Sequence, residues 1–164
     1  MNETTKKIVL TGVIAALYAV LTYVIAPFAY GPIQFRFSEI LVLLAFVSPI
    51  YIPGLILGCV LGNLMSPFGV IDIVVGSLAT AIACLLMSKI KQIWVASLMP
   101  AIINGLIIGL EIMYLSDEPI NFWVTAGEIF LSELIIVTII GVPVLLVLMK
   151  QPNLRKKLLW QREN

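Results

Sequence analysis

Five acids, Glu39, Asp72, Glu111, Glu128 and Glu133, stand inside or at the edges of long apolar runs, together with Asn63 and Asn104. A carboxylate held at membrane depth costs roughly 2.5–3.5 kcal/mol on insertion scales, so such residues mark a pathway or a site by default. The one cation among them is Arg36, which stands alone between Lys7 and Lys89. A site whose acids outnumber its base repels an anion. It suits a cation, or a flat ring rich in N–H donors, because carboxylates accept paired hydrogen bonds and aromatic rings stack. Catalysis is poorly served. The chain has no histidine, so it has neither a Ser/His pair nor H-E-x-x-H, and GxxxxGK[ST] is missing as well. It is read as a non-enzyme that binds no cofactor or metal and cannot hydrolyse a nucleotide by itself. Cys59 and Cys84 fall in apolar runs and read as small buried hydrophobes.

The elements that must carry these groups are membrane helices. Of 164 residues, 61% are hydrophobic and 12% charged, where an average soluble domain is roughly a quarter charged. A spanning helix needs about 20 apolar residues. The runs predict an all-α integral membrane protein, a single transmembrane domain over residues 1–164. Its six spans are placed at 7–26, 38–47, 50–64, 70–87, 93–115 and 122–149. The second and third are short and could instead form a re-entrant pair. The first is too long for a signal peptide and is read as retained. Between the first two spans, the loop 27–37 holds Pro27, Gly31 and Pro32, so irregular backbone is expected there.

With six crossings both termini lie on one side. Nine of the ten cations then share that side and Arg36 alone faces the other, so the termini are placed in the cytoplasm and the 27–37, 65–69 and 116–121 loops outside. On this frame Arg36, Glu39, Asn63, Asp72, Glu111 and Glu128 cluster toward the outside, and Asn104 and Glu133 lie deeper. Asn104 and Glu111, seven apart, share a helical face; Glu128 and Glu133, five apart, diverge, so one of them is structural. The expected ligand set is Tyr30, Gln34, Arg36, Glu39, Asn63, Asp72, Asn104, Glu111, Trp123 and Glu128. Arg36 is expected to pair with Glu39 on one face of a helix capped by Ser38. Plainer roles exist beside these. Asp72 suits a helix dipole, Tyr30 and Trp123 suit an interfacial belt, and Arg36 with Glu39 could form an ordinary neutral loop.

Small residues recur at helical spacing: Gly54, Gly58 and Gly62 on span three, Gly105 and Gly109 on span five, and Gly12, Ala15, Ala16 and Ala19 on span one. Such stripes let helices approach closely in lipid. The first two are assigned to packing within the chain. The stripe on span one is equally suited to docking another membrane protein.

The stretch Tyr30-Gly-Pro-Ile-Gln-Phe-Arg-Phe-Ser-Glu39 resembles the signature loop of the queuosine precursor transporter family, often called QueT. Asn63-Leu-Met-Ser-Pro-Phe-Gly-Val-Ile-Asp72 with Gly76-Ser-Leu-Ala-Thr80 is similar to that family's second block. Asn104-Gly, Glu111, Gly127-Glu128 and Gly141-x-Pro143 are similar to its later, weaker blocks. The resemblance implies an S component of an energy-coupling factor (ECF) transporter in a bacterial cell membrane. It implies a six-helix, multi-pass S-component bundle that takes a 7-deazaguanine type queuosine precursor from outside. The partners implied are a transmembrane coupling subunit, docked on the alanine-rich first helix, and two ATPase subunits that use ATP. Loop 27–37 would be the outer gate. Rival readings are an S component for another nutrient and a stand-alone ion-coupled carrier using Asp72, Glu111 and Glu128 as a relay.

Overall fold

A computed structural model describes residues 2–30 and 34–159, without the Lys157 side chain; expectations resting on Gly31, Pro32 and Arg162 lie outside the described residues. Among the described residues every regular element is helical. The main helices are α1 Glu3–Val24, α2 Phe37–Val47, α3 Pro49–Met65, α4 Val70–Lys89, α5 Ile93–Leu115 and α6 Phe122–Met149, followed by α7 Pro152–Leu159; a further helical turn, Ala26–Ala29, takes up the start of the 27–37 loop, where Pro27 fits the first turn of a helix. The first six follow the apolar runs closely; α7 was not expected. α1 starts earlier than its run because Asn2 caps it, accepting from the Thr5 amide at 2.8 Å.

Four helices, α1, α4, α5 and α6, are long and apolar enough to cross a membrane, whereas α2 and α3 are shorter. α2 runs as a 3₁₀ helix from Phe37 to Leu43. That tighter coil rises about 2.0 Å per residue instead of about 1.5 Å, so a short segment reaches further. Ser48, with φ −159° and ψ 136°, ends α2, as the residue before Pro49 must stay out of helical backbone.

α1 packs on α3, α3 on α4, α4 on α5 and α5 on α6, and α2 closes the ring between α6 and α1. The glycine stripes make these approaches possible. Gly54, Gly58 and Gly62 meet Ile14, Tyr18 and Thr22 of α1, and a Cβ on Gly58 would lie 2.5 Å from that of Tyr18. Gly105 and Gly109 meet α6, where a Cβ on Gly109 would lie 3.1 Å from Ala126 Cα. Both stripes thus serve packing within the chain, as expected.

The stripe on α1 divides. Ala15 and Ala19 are only 2% and 6% exposed, because they share the inward face with Ile14, Tyr18 and Thr22. They are unavailable to a second protein while the bundle is closed. Gly12 and Ala16 look outward instead, with nothing within 4 Å of a Cβ on Gly12.

α6 contains a wide π-helical stretch, Leu134–Gly141, just before Pro143. Proline crowds the preceding turn and donates no hydrogen bond, so a widened coil relieves it. Gly141 lies close against Leu43 of α2. The main apolar core, including Leu43, Leu55, Met87 and Val137, continues to Ile90, Ile93 and Met149 at the end that carries the lysines. There Tyr51 Oη donates to the Leu158 carbonyl at 3.1 Å, tying α7 to α3. Cys59 and Cys84 are free and buried, as their surroundings suggested.

Candidate ligand site

The opposite end of the bundle is polar inside. Arg36 turns inward from the extended residue that precedes α2 and is 6% exposed. Its Nε donates to the Ala29 carbonyl at 3.2 Å and its Nη1 to Asn63 Oδ1 at 2.9 Å. Its Nη2 stands 3.6 Å from Asp72 Oδ2. The Asn63 amide in turn donates to the Asp72 carbonyl at 3.0 Å. Gly76 leaves room for this group, since a Cβ there would meet Asn63 Nδ2 at 2.5 Å. The guanidinium also lies 5.5 Å from the centroid of the Tyr30 ring, whose hydroxyl donates to the Gly62 carbonyl.

The expected Arg36–Glu39 pair is not formed. Arg36 has extended backbone, φ −104° and ψ 98°, so it does not share the helical face of Glu39. Glu39 instead accepts from the Tyr18 hydroxyl of α1. Ser38 makes no cap; its Oγ accepts from Thr22 Oγ1 at 2.8 Å. These two bonds tie the start of α2 to α1.

Glu39 reaches a small void of about 10 Å³ that Gln34, Arg36, Thr80, Asn104 and Glu133 also line. Asn104 Nδ2 donates to Glu133 Oε1 at 2.8 Å. Glu39 Oε2, Asn104 Oδ1 and Glu133 Oε2 are buried without a hydrogen-bond partner. Native interiors rarely leave such groups unmatched, so each one needs an explanation.

Nearer the loops lies a cavity of about 410 Å³, lined by Tyr30, Gln34, Pro67, Phe68, Ile112, Ser116, Ile120, Thr125 and Glu128. Its size falls within the range of about 300–1,000 Å³ usual for small-molecule sites. Its walls hold one carboxylate and, among the described residues, no cation. Gln34 belongs to both spaces. Its backbone has φ 48°, a conformation uncommon outside glycine, and its carbonyl accepts from Ser132 Oγ at 3.1 Å.

Of the ten residues expected to bind ligand, Tyr30, Gln34 and Glu128 line the cavity, and Gln34, Arg36, Glu39 and Asn104 line the void. Asn63 and Asp72 hold Arg36 from behind. Glu111 is buried with both carboxylate oxygens unpartnered, but it lines neither space. Trp123 lies outside the site, 75% exposed with its ring against Phe122. Asn121 caps α6, accepting from the Trp123 amide at 2.9 Å, and the first two turns then bring Thr125 and Glu128 to the cavity while Trp123 faces away. Tyr18, Phe68, Thr80, Thr125 and Glu133 were not expected. A tyrosine in an apolar helix reads as core, and nothing in its spacing reveals a carboxylate opposite. For Glu133 the signal was its depth, shared with Asn104.

The model of the family described as QueT transporter matches residues 8–150. Among curated proteins, the chain is 34% identical over 145 residues to the queuosine precursor transporter QueT of Lactococcus lactis subsp. cremoris, covering 79% of this chain and 84% of that one. No solved structure matches it significantly. A transporter family and several helices long and apolar enough to span a membrane agree with one another: this is a multi-pass membrane protein, a transporter by family and not an enzyme, and the chain belongs to the QueT transporter family.

Proposed function

We propose that this chain is the substrate-binding S component of an ATP-driven ECF importer and captures a queuosine precursor, a 7-deazaguanine type base, from outside the cell. The observation that carries the reading is the 410 Å³ cavity at the end away from the lysines, with an acid and, among the described residues, no base in its walls. A guanine-like edge offers neighbouring N–H donors, which Glu128 can accept as a pair, while Tyr30 and Phe68 offer faces for the ring. The name of the Lactococcus relative, a queuosine precursor transporter, supports this choice of substrate class. The lack of a GxxxxGK[ST] motif supports a drive supplied by other subunits. A coupling subunit and two ATPase subunits supply it, and the outward face of α1 at Gly12 and Ala16 is where the coupling subunit docks.

The test is a pair of measurements. Purified chain is heated with deazapurines and with unrelated vitamins, and a deazaguanine is expected to raise the melting temperature. At a hundred times Kd the stabilisation is about 2.7 kcal/mol. Co-expressed with ECF ATPase and coupling subunits, the chain is expected to co-elute with them. Elution alone, together with uptake that an ion gradient drives, would establish the ion-coupled carrier.

All six apolar helices cross the membrane in this reading, with both termini in the cytoplasm. A cysteine placed at Glu118 is then expected to react with an impermeant reagent added to intact cells, and one at Gln151 is not. Both positions are exposed. Reaction at Gln151 from outside would overturn the orientation.

A further inference from the structure

We propose that the end of the bundle that carries the lysines is a binding surface for anionic phospholipid headgroups, with the short helix α7 as part of it. The proposal goes beyond the transport reading and depends neither on the substrate nor on the source of the drive. Six cations are exposed there: Lys7 on α1, Lys89 at the end of α4 with Lys91 behind it, Lys150 at the end of α6, and Arg155 and Lys156 on α7. The fold brings these distant segments to one end. The first half of α1 lies against the start of α3, where a Cβ on Gly54 would meet Ile14 and the Thr11 carbonyl. Tyr51, in the same start of α3, holds α7 through the Leu158 carbonyl. Leu158 and Leu159 pack on the core that also takes in Ile90, Ile93 and Met149. Among the described residues the one acid at this end is Glu3, and it pairs with Lys6 at 2.8 Å. The six cations therefore meet no compensating charge within the described chain.

Their height along the helices decides what they meet. Each stands next to apolar side chains that stay exposed: Ile8 after Lys7, Leu86 before Lys89, Trp94 after Lys91 and Leu148 before Lys150. In a membrane protein such side chains face acyl tails, so the cations beside them reach headgroup height. Trp94 suits the same level, since tryptophan collects at the boundary between membrane and water. α7 adds to the surface because it folds back on the core, which keeps Arg155 and Lys156 at the end where Lys150 stands. An acidic protein would have to reach these groups through the headgroups, whereas a lipid phosphate is already there.

The experiment places the full-length chain in phosphatidylcholine vesicles and reads the quenching of single tryptophans by lipids with brominated tails. Trp123→Phe with Trp160→Phe keeps Trp94; Trp94→Phe with Trp160→Phe keeps Trp123, which is 75% exposed at the start of α6, at the opposite end. Brominated phosphatidylglycerol is expected to associate at Trp94 about five-fold or more strongly than brominated phosphatidylcholine at the same mole fraction. That factor is the equivalent of about 1 kcal/mol for one cation near a membrane surface. Trp123 is expected to show no such preference. At about 1 M salt, where screening acts within about 3 Å, the preference at Trp94 should shrink toward one. Lys89→Gln with Lys91→Gln should lower it too. Equal quenching of Trp94 by both lipids would overturn the proposal and leave the cations to an acidic protein partner. So would an equal preference at Trp94 and Trp123, or one that neither salt nor the loss of both lysines moves. The comparison of the two lipids at Trp94 needs no lysine variant to fold.

Discussion

Replacing Arg36 by methionine is expected to lower the stability of the chain by about 3–5 kcal/mol, the usual range for removing one partner of a buried ion pair. Among the described residues the arginine is the one cation in the polar interior, and its side chain and that of Asp72 are 7% and 2% exposed. Three groups lose their partner at once: the Ala29 carbonyl, Asn63 Oδ1 and the Asp72 carboxylate. Asp72 Oδ1 already lacks a hydrogen bond, so nothing nearby takes up the charge. Arg36→Lys keeps the charge but loses the fork that reaches Asn63 and Asp72 together, and should fall between parent and methionine variant. Adding Asp72→Asn to Arg36→Met should restore part of the loss, because it removes the stranded charge. Unfolding curves in detergent measure all four proteins. A methionine variant as stable as the parent would show that the Arg36 cluster contributes nothing to the fold.

Gly58→Leu is expected to have the second largest effect. Even a Cβ at this position falls 2.5 Å from the Cβ of Tyr18 and 3.2 Å from the Ala15 Cα, which is backbone and cannot yield. Overpacking of this kind costs typically 1–3 kcal/mol, sometimes more. In lipid the contact between α1 and α3 depends on close packing, since no hydrophobic force joins the helices. Pushing α1 away also draws the Tyr18 hydroxyl from Glu39, so ligand affinity should fall with stability. Gly12→Leu is the control. Its Cβ meets open space, so no loss is expected, and the better helix propensity of leucine should raise stability by up to about 1 kcal/mol. Equal melting of the Gly58 and Gly12 variants would refute the close approach of α1 to α3.

Some of the site was legible because depth in a membrane is written locally. The position of Glu39, Asn63 or Asp72 near a helix end follows from the length of the apolar run beside it. Arg36, Glu39 and Gln34 were legible because so few polar residues interrupt so much apolar sequence. Gly58 was legible as a packing residue from its neighbours Gly54 and Gly62, four residues away on either side. Trp123 faces outward for an equally local reason. Its ring has the chemistry of a stacking platform, yet the cap at Asn121 fixes the phase of α6 and sends it outward.

By itself the sequence determined the helical, membrane-embedded class of the protein, the bounds of its apolar helices, the sorting of its lysines from its acids and the lack of catalytic machinery. Those properties depend on hydropathy and residue type, which each segment carries alone. Only the tertiary structure decided which groups meet: Arg36 with Asp72 and Asn63, Glu39 with Tyr18, Glu133 with Asn104, and Ala15 with Gly58 of α3. The reason is geometric. A run of residues gives the height of a side chain along its helix, but its neighbours depend on the rotation of that helix and on the order of helices around the ring. That order, with α2 closing the ring between α6 and α1, is set by how all the faces pack together, and no single segment records it.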